Sequence, residues 1–129
     1  MNKVGYKALV EAAEARIRTI SAEEAMNKQG ADDVVFVDLR DVRELKREGG
    51  IPGAFHCPRG LLEFWIDPES PYHHAIFAEP REFVCFCNLG WRSALAADIA
   101  QQMGLTTCHI DGGFEAWKAL GGEVTPGKK

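Results

Sequence analysis

Residues Glu82–Ser93, EFVCFCNLGWRS, decide how the chain folds. Phe83 through Cys87 form an unbroken apolar run, the pattern of a strand covered on both faces. Asn88–Gly90 interrupts it with polar and glycine residues. The alanine-rich segment beyond reads as a helix over Ser93–Met103, closed by Gly104. A strand that turns within a few residues into a helix is the opening of a parallel crossover. Cys87 stands at the carboxyl end of that strand, and Cys85, two residues earlier, is expected inside the sheet.

Outward from this stretch the same alternation recurs. VVFVDLR (Val34–Arg40) is a second buried strand that ends in charge. Asp41 with Glu44 caps a short helix, VRELKRE, stopped by Gly49–Gly50. A brief strand is expected around Ala54–Cys57, a short helix at Leu61–Trp65, and a further strand at Leu105–Ile110. Asp111-Gly-Gly then turns the chain into a helix over Phe114–Leu120. Near the start, Tyr6, Leu9, Val10, Ala13 and Ile17 recur at helical spacing over residues 6–18. Ser21 with Glu24 caps another short helix that ends near Gly30. Strands alternating with helices across short turns predict an α/β sandwich with a central, mostly parallel sheet. Residues 1–19 are read as a leader helix packed on a single domain of residues 20–129.

A chain of 129 residues can bury a core without disulfides or metals. Its formal net charge of -4 argues against a nucleic-acid surface or a polybasic membrane surface. Basic residues are scattered, apart from the short Lys128–Lys129 tail. The first eighteen residues are broken by charge every few positions, so neither a signal-peptide core nor a membrane span is expected there. A cytoplasmic location follows, with Cys57, Cys85, Cys87 and Cys108 as free thiols. Cys-x-Cys is not the spacing of a structural zinc site, and no second pair lies nearby. His56–Cys57 and Cys108–His109 are adjacent pairs that point to opposite faces of a strand. No metal or cofactor is therefore expected.

In parallel α/β sheets, sites form beyond the carboxyl ends of the strands, where Cys87 falls. The backbone N–H groups of Asn88, Leu89, Gly90, Trp91 and Arg92 are placed to curl round its sulfur. The free amides of the following helix point the same way, and such a nest favours thiolate over thiol. Gly90 permits the tight backbone conformation required. Ser93 is expected as the helix N-cap, its hydroxyl also within reach of the sulfur.

With these residues the sequence resembles the rhodanese-like sulfurtransferases over about residues 20–124. CNLGWRSALAA is similar to the family's active-site loop, Cys-x-x-Gly-x-Arg-Ser. VVFVDLRDVRELKREGGIPGAFHCP resembles its Asp-x-Arg strand end followed by Ile-Pro-Gly-Ala. IDGGFEAWKALGGEV resembles its closing Gly-Gly-x-x-x-Trp motif. Gly50 departs from the pattern, standing where a histidine usually precedes Ile-Pro-Gly-Ala. The resemblance implies a three-layer α/β/α sandwich and a double displacement. Cys87 would take a sulfane sulfur from a donor such as thiosulfate and hold it as a persulfide. A thiophilic acceptor, cyanide or a thiol of a small molecule or of an acceptor protein, would then remove it.

Two rivals share the fold. Cell-cycle phosphatases place five residues between cysteine and arginine, enough to surround a phosphoryl group. Here four lie between Cys87 and Arg92, a ring suited to one extra sulfur atom. A non-catalytic binding or regulatory module is the other, opposed by the intact cysteine loop. Arg40 and Arg92 are weighed as anion-binding groups or as ties, Arg40 to a nearby carboxylate and Arg92 to the loop. Asp38 is expected to accept backbone hydrogen bonds where its strand turns. Arg59–His74, rich in aromatics, either walls the site entrance or is a surface loop stapled by its own rings.

Overall fold

The computed structural model describes residues 3–127, so the Lys128–Lys129 tail lies outside the described residues. Five strands form one sheet in the order β1-β5-β4-β2-β3. They are β1 (Arg18–Ile20), β2 (Val34–Asp38), β3 (Phe55–His56), β4 (Glu82–Phe86) and β5 (Thr106–Ile110). Every pairing is parallel, with Val37 opposite Cys85 and Cys85 opposite His109 across the centre. The sheet is thus parallel throughout, and all its carboxyl ends share one rim.

Six helices cover it: α1 (Tyr6–Arg16), α2 (Ala22–Lys28), α3 (Val42–Glu48), α4 (Leu62–Ile66), α5 (Trp91–Gln102) and α6 (Gly113–Ala119). The central strands are apolar on both sides because each side has its own core. On one, Val35, Val37, Phe83 and Cys85 pack against Leu62, Ile66 and the alanines Ala96, Ala97 and Ala100 of α5. On the other, Phe36, Val84, Phe86, Cys108 and Ile110 meet Ala22, Ala25, Phe114 and Trp117. Small side chains let α5 lie close to the sheet, whereas α6 contributes two large rings. Trp117 is fully buried among them, and its indole N–H donates to the Glu123 carbonyl at 2.8 Å.

The local signals act where the sequence places them. Ser21 Oγ accepts the Glu24 amide at 3.1 Å, and Asp41 with Glu44 closes a complete capping box. Two readings are corrected. The first helix ends at Arg16, not residue 18, and the next residues form a strand that the periodicity did not reveal. The helix after Cys87 begins at Trp91, so Ser93 is its third residue and Gly90 is the cap. The short helix expected at Leu61–Trp65 is α4, one residue further along and preceded by a 3-10 turn over Arg59–Leu61. Helix α1 docks on α5 through Val10, Ala13 and Ala94, and an ion pair joins Arg16 to Asp98 at 2.6 Å. Within residues 59–74 the Trp65 and His74 rings lie 4.1 Å apart, and Phe55 of β3 packs on both. No helix among the described residues is long and apolar enough to cross a membrane.

Truncating Trp117 to Ala removes the largest fully buried side chain together with its indole hydrogen bond. The expected cost is about 3–5 kcal/mol, read as a lower midpoint in urea unfolding.

Candidate active site

Cys87 follows β4, the central strand of the sheet, and its side chain is turned inward, 1% exposed. The chain then makes a three-residue turn, with Gly90 at φ +111°, before α5 begins. That backbone conformation is strained for any residue with a Cβ. It brings the Gly90 amide to 3.2 Å and the Ser93 amide to 3.4 Å from Cys87 Sγ. Of the five amides from Asn88 to Arg92 expected to curl round the sulfur, only that of Gly90 donates to it; the second donor is the amide of Ser93. Both belong to the start of α5, where backbone N–H groups lack helical partners. The Ser93 hydroxyl lies 3.6 Å from the same sulfur.

The loop is held from behind by α6. The Phe114 amide donates to the Cys87 carbonyl at 2.8 Å, and the Glu115 amide to the Asn88 carbonyl at 3.1 Å. Gly113, at φ +57°, lies so near that a Cβ there would collide with both carbonyls. This is the physical reason for glycine at position 113; at Gly112, φ +73°, a Cβ would instead meet the Ala116 methyl at 2.8 Å.

Charged side chains fix the loop's outer wall. Arg92 grips Glu44 of α3 with both terminal nitrogens, at 2.6 and 3.0 Å. The Asn88 side-chain amide donates to the same carboxylate at 3.1 Å. The Arg92 guanidinium beside Glu44 holds that carboxyl below its ordinary value. Arg40, fully buried, forms the ion pair with Asp38, at 3.0 Å from Nε and 2.8 Å from Nη2. It also donates to the Gly49 carbonyl at 2.8 Å and reaches Asn88 Oδ1 at 3.5 Å. Asp38 accepts the Arg40 backbone amide, as expected of it. Both arginines are thus engaged as ties. Leu89 and Trp91 are half-exposed on the solvent side, Trp91 stacked against Tyr6 at 4.9 Å.

The remaining cysteines lie apart from this chemistry. Cys85 is buried in the sheet, where desolvation pushes its thiol up, and burial does the same to Cys57 and Cys108. A cavity of about 450 Å³ is lined by Asp38, Val42, Leu45, His56 and Thr125 among others, and by no residue of the loop. Two residues at the site were not singled out from sequence. Glu44 was visible only as a capping residue. His109 enters the sequence reading only as one of an adjacent Cys–His pair on a strand, yet its Nδ1 lies 3.0 Å from Ser93 Oγ.

A family model for the rhodanese-like domain matches residues 21–120. The chain belongs to the rhodanese-like domain family. Among curated proteins it is 25% identical over 104 residues to the mouse thiosulfate sulfurtransferase/rhodanese-like domain-containing protein 3, covering 76% of this chain and 66% of that one. Among solved structures, a protein from Rhodopseudomonas palustris described as of unknown function and a possible tyrosine phosphatase is 51% identical, with a TM-score of 0.93 and 97% of each chain covered. The polysulfide-sulfur transferase homodimer of Wolinella succinogenes is 30% identical, with a TM-score of 0.70, covering 94% of this chain and 87% of that one. This rhodanese-like fold therefore has sulfurtransferases among its relatives.

The Glu44–Arg92 pair gives a pH prediction. A carboxylate held low when folded contributes stability that is present above its unfolded value, roughly 4.3, and that is lost as pH falls through the lower folded value. Replacing Glu44 with Gln should flatten this acid limb relative to wild type, followed by urea unfolding between pH 3 and 7.

Proposed function

We propose that the protein is a sulfurtransferase that carries sulfane sulfur on Cys87. One observation carries this reading: the buried sulfur receives two helix-start amides inside a loop with four residues between Cys87 and Arg92. The thiolate attacks the outer sulfur of a donor such as thiosulfate. A new S–S bond forms, the donor's S–S bond breaks, and sulfite leaves with the electron pair. The terminal sulfur of the persulfide then lies toward the loop amides that do not bond Cys87, those of Asn88, Leu89, Trp91 and Arg92. A nucleophilic acceptor, cyanide or a thiol on a small molecule or a protein, attacks that sulfur and returns Cys87 as thiolate. Asn88 and Arg92 shape the ring through Glu44, Arg40 supports it through Asn88, and Leu89 and Trp91 form its exposed lip. Four buried free thiols suit a reducing compartment, so the cytoplasm is the proposed place of action.

The label of the Rhodopseudomonas relative makes phosphate-ester hydrolysis the second reading. The small loop argues against it, and so does the bidentate pairing of Arg92 with Glu44, which leaves that guanidinium committed. Intact-mass spectrometry after incubation with thiosulfate separates the two. Wild type should gain about 32 Da, one sulfur atom, lose it to cyanide or a thiol, and Cys87→Ser should gain nothing. Hydrolysis of an aryl phosphate through Cys87 with no persulfide would overturn the proposal. A second glycine inserted after Gly90 should weaken sulfur transfer by widening the ring.

A further inference from the structure

A thiol with 1% exposure has almost no water to take its proton, so a neighbour must accept it before the sulfur can act as a nucleophile. Ser93 and His109 supply a continuous route. Ser93 Oγ lies 3.6 Å from Cys87 Sγ and 3.0 Å from His109 Nδ1. His109 is 1% exposed, and its Nε2 is buried without a hydrogen bond. That nitrogen faces Glu14 Oε2 of α1 at 3.6 Å, and the Glu14 side chain is 41% exposed. A carboxylate accepts only, so Nε2 carries the hydrogen and Nδ1 the lone pair. Nδ1 then accepts the Ser93 hydroxyl proton, which leaves the Ser93 oxygen free to accept from the thiol. The thiol, hydroxyl and imidazole links then run in one direction, and the last step, at 3.6 Å from Nε2 to Glu14, is a charge contact and not a hydrogen bond.

We infer that Cys87, Ser93, His109 and Glu14 form a proton path that converts the buried thiol to its reactive form. The inference rests on the reading of Cys87 as the nucleophile. In the transfer the S–H bond breaks and its proton joins Ser93 Oγ, while the original Ser93 proton moves to His109 Nδ1. No electrons change hands, and net charge is conserved. The resulting thiolate accepts from the Ser93 hydroxyl and from the amides of Gly90 and Ser93. The imidazolium has its Nε2–H directed at the Glu14 carboxylate, which leads to solvent. The titratable groups around His109 are Glu14 from α1, Asp111 just after β5, Cys87 beyond β4, and Cys85, its register partner in β4. Burial holds the imidazole below its ordinary value, so it rests as a neutral base, while Glu14 and Asp111 favour the charged form it must briefly adopt. Cys85 does not compete, since burial keeps its proton in place.

The test needs no sulfur donor. Nitrogen-15 NMR of the full chain reads the His109 tautomer directly, with Nε2–H expected; Nδ1–H would overturn the path, because that nitrogen could not accept from Ser93. Iodoacetamide labelling of Cys87 at pH 7 gives the second readout. Asn at position 109 still offers an acceptor to Ser93 but no base, so a merely structural role would leave the rate alone. His109→Asn should slow labelling about tenfold or more, and Glu14→Gln should slow it to a smaller extent. Wild-type rates in His109→Asn would overturn the path, and wild-type rates in Glu14→Gln would remove its outer step. If both readouts hold while thiosulfate leaves no sulfur on the protein, the sulfurtransferase proposal fails and the proton path stands.

Discussion

A guanidinium buried away from water is stable only where its nitrogens find partners, and Arg40 has no exposed surface at all. Its partners come from separate parts of the chain: Asp38 at the end of β2, the Gly49 carbonyl at the end of α3, and Asn88 in the loop after β4. The ring of Phe114 in α6 lies 4.3 Å from its central carbon. None of these segments can shift without leaving a buried charge unmatched. Gly50 lies beside the Arg40–Asp38 pair: a Cβ there would stand in ordinary contact, 3.4 Å from an Arg40 terminal nitrogen and 3.7 Å from an Asp38 oxygen, so the space does not demand glycine. The Gly50 backbone pairs with Thr125 in both directions.

The site is a consequence of where two helices start. Helix α5 turns its first amides on the thiol, and α6 turns its first amides on the carbonyls of the same loop. The loop is thus gripped by donors on both sides, while Glu44 binds its outer edge through Asn88 and Arg92. Such a loop needs no reorganisation to receive charge on the sulfur, which is what electrostatic preorganisation requires.

Local chemistry made much of this legible. Strands β2 and β4 are nearly continuous apolar runs, and the Asp41–Glu44 box marks the start of α3 directly. The parts that were not legible depend on partners distant in sequence. β1 has three residues, two of them exposed, and its place is set by pairing Arg18–Ile20 with Cys108–Ile110. Ser93 carries the chemistry of a cap residue, but the positive φ of Gly90 starts the helix earlier. Arg92 and Glu44 are 48 positions apart, and only the packing of α3 beside the loop joins them. His109 looks like one of several polar residues in a mixed strand until the β4–β5 register and the docking of α1 surround it.

The two outermost strands are the shortest in the sheet, three residues in β1 and two in β3. An edge strand presents unpaired backbone groups to solvent and can template the addition of a foreign strand. Edges this brief offer little length for such growth. On the β1 side, Arg18 reaches Glu82 and Glu24 and places charge where an incoming strand would lie. The long hydrophobic strands that hold the cysteine loop are kept in the interior of the sheet, so the most aggregation-prone segments of this chain are the ones least able to recruit a neighbour.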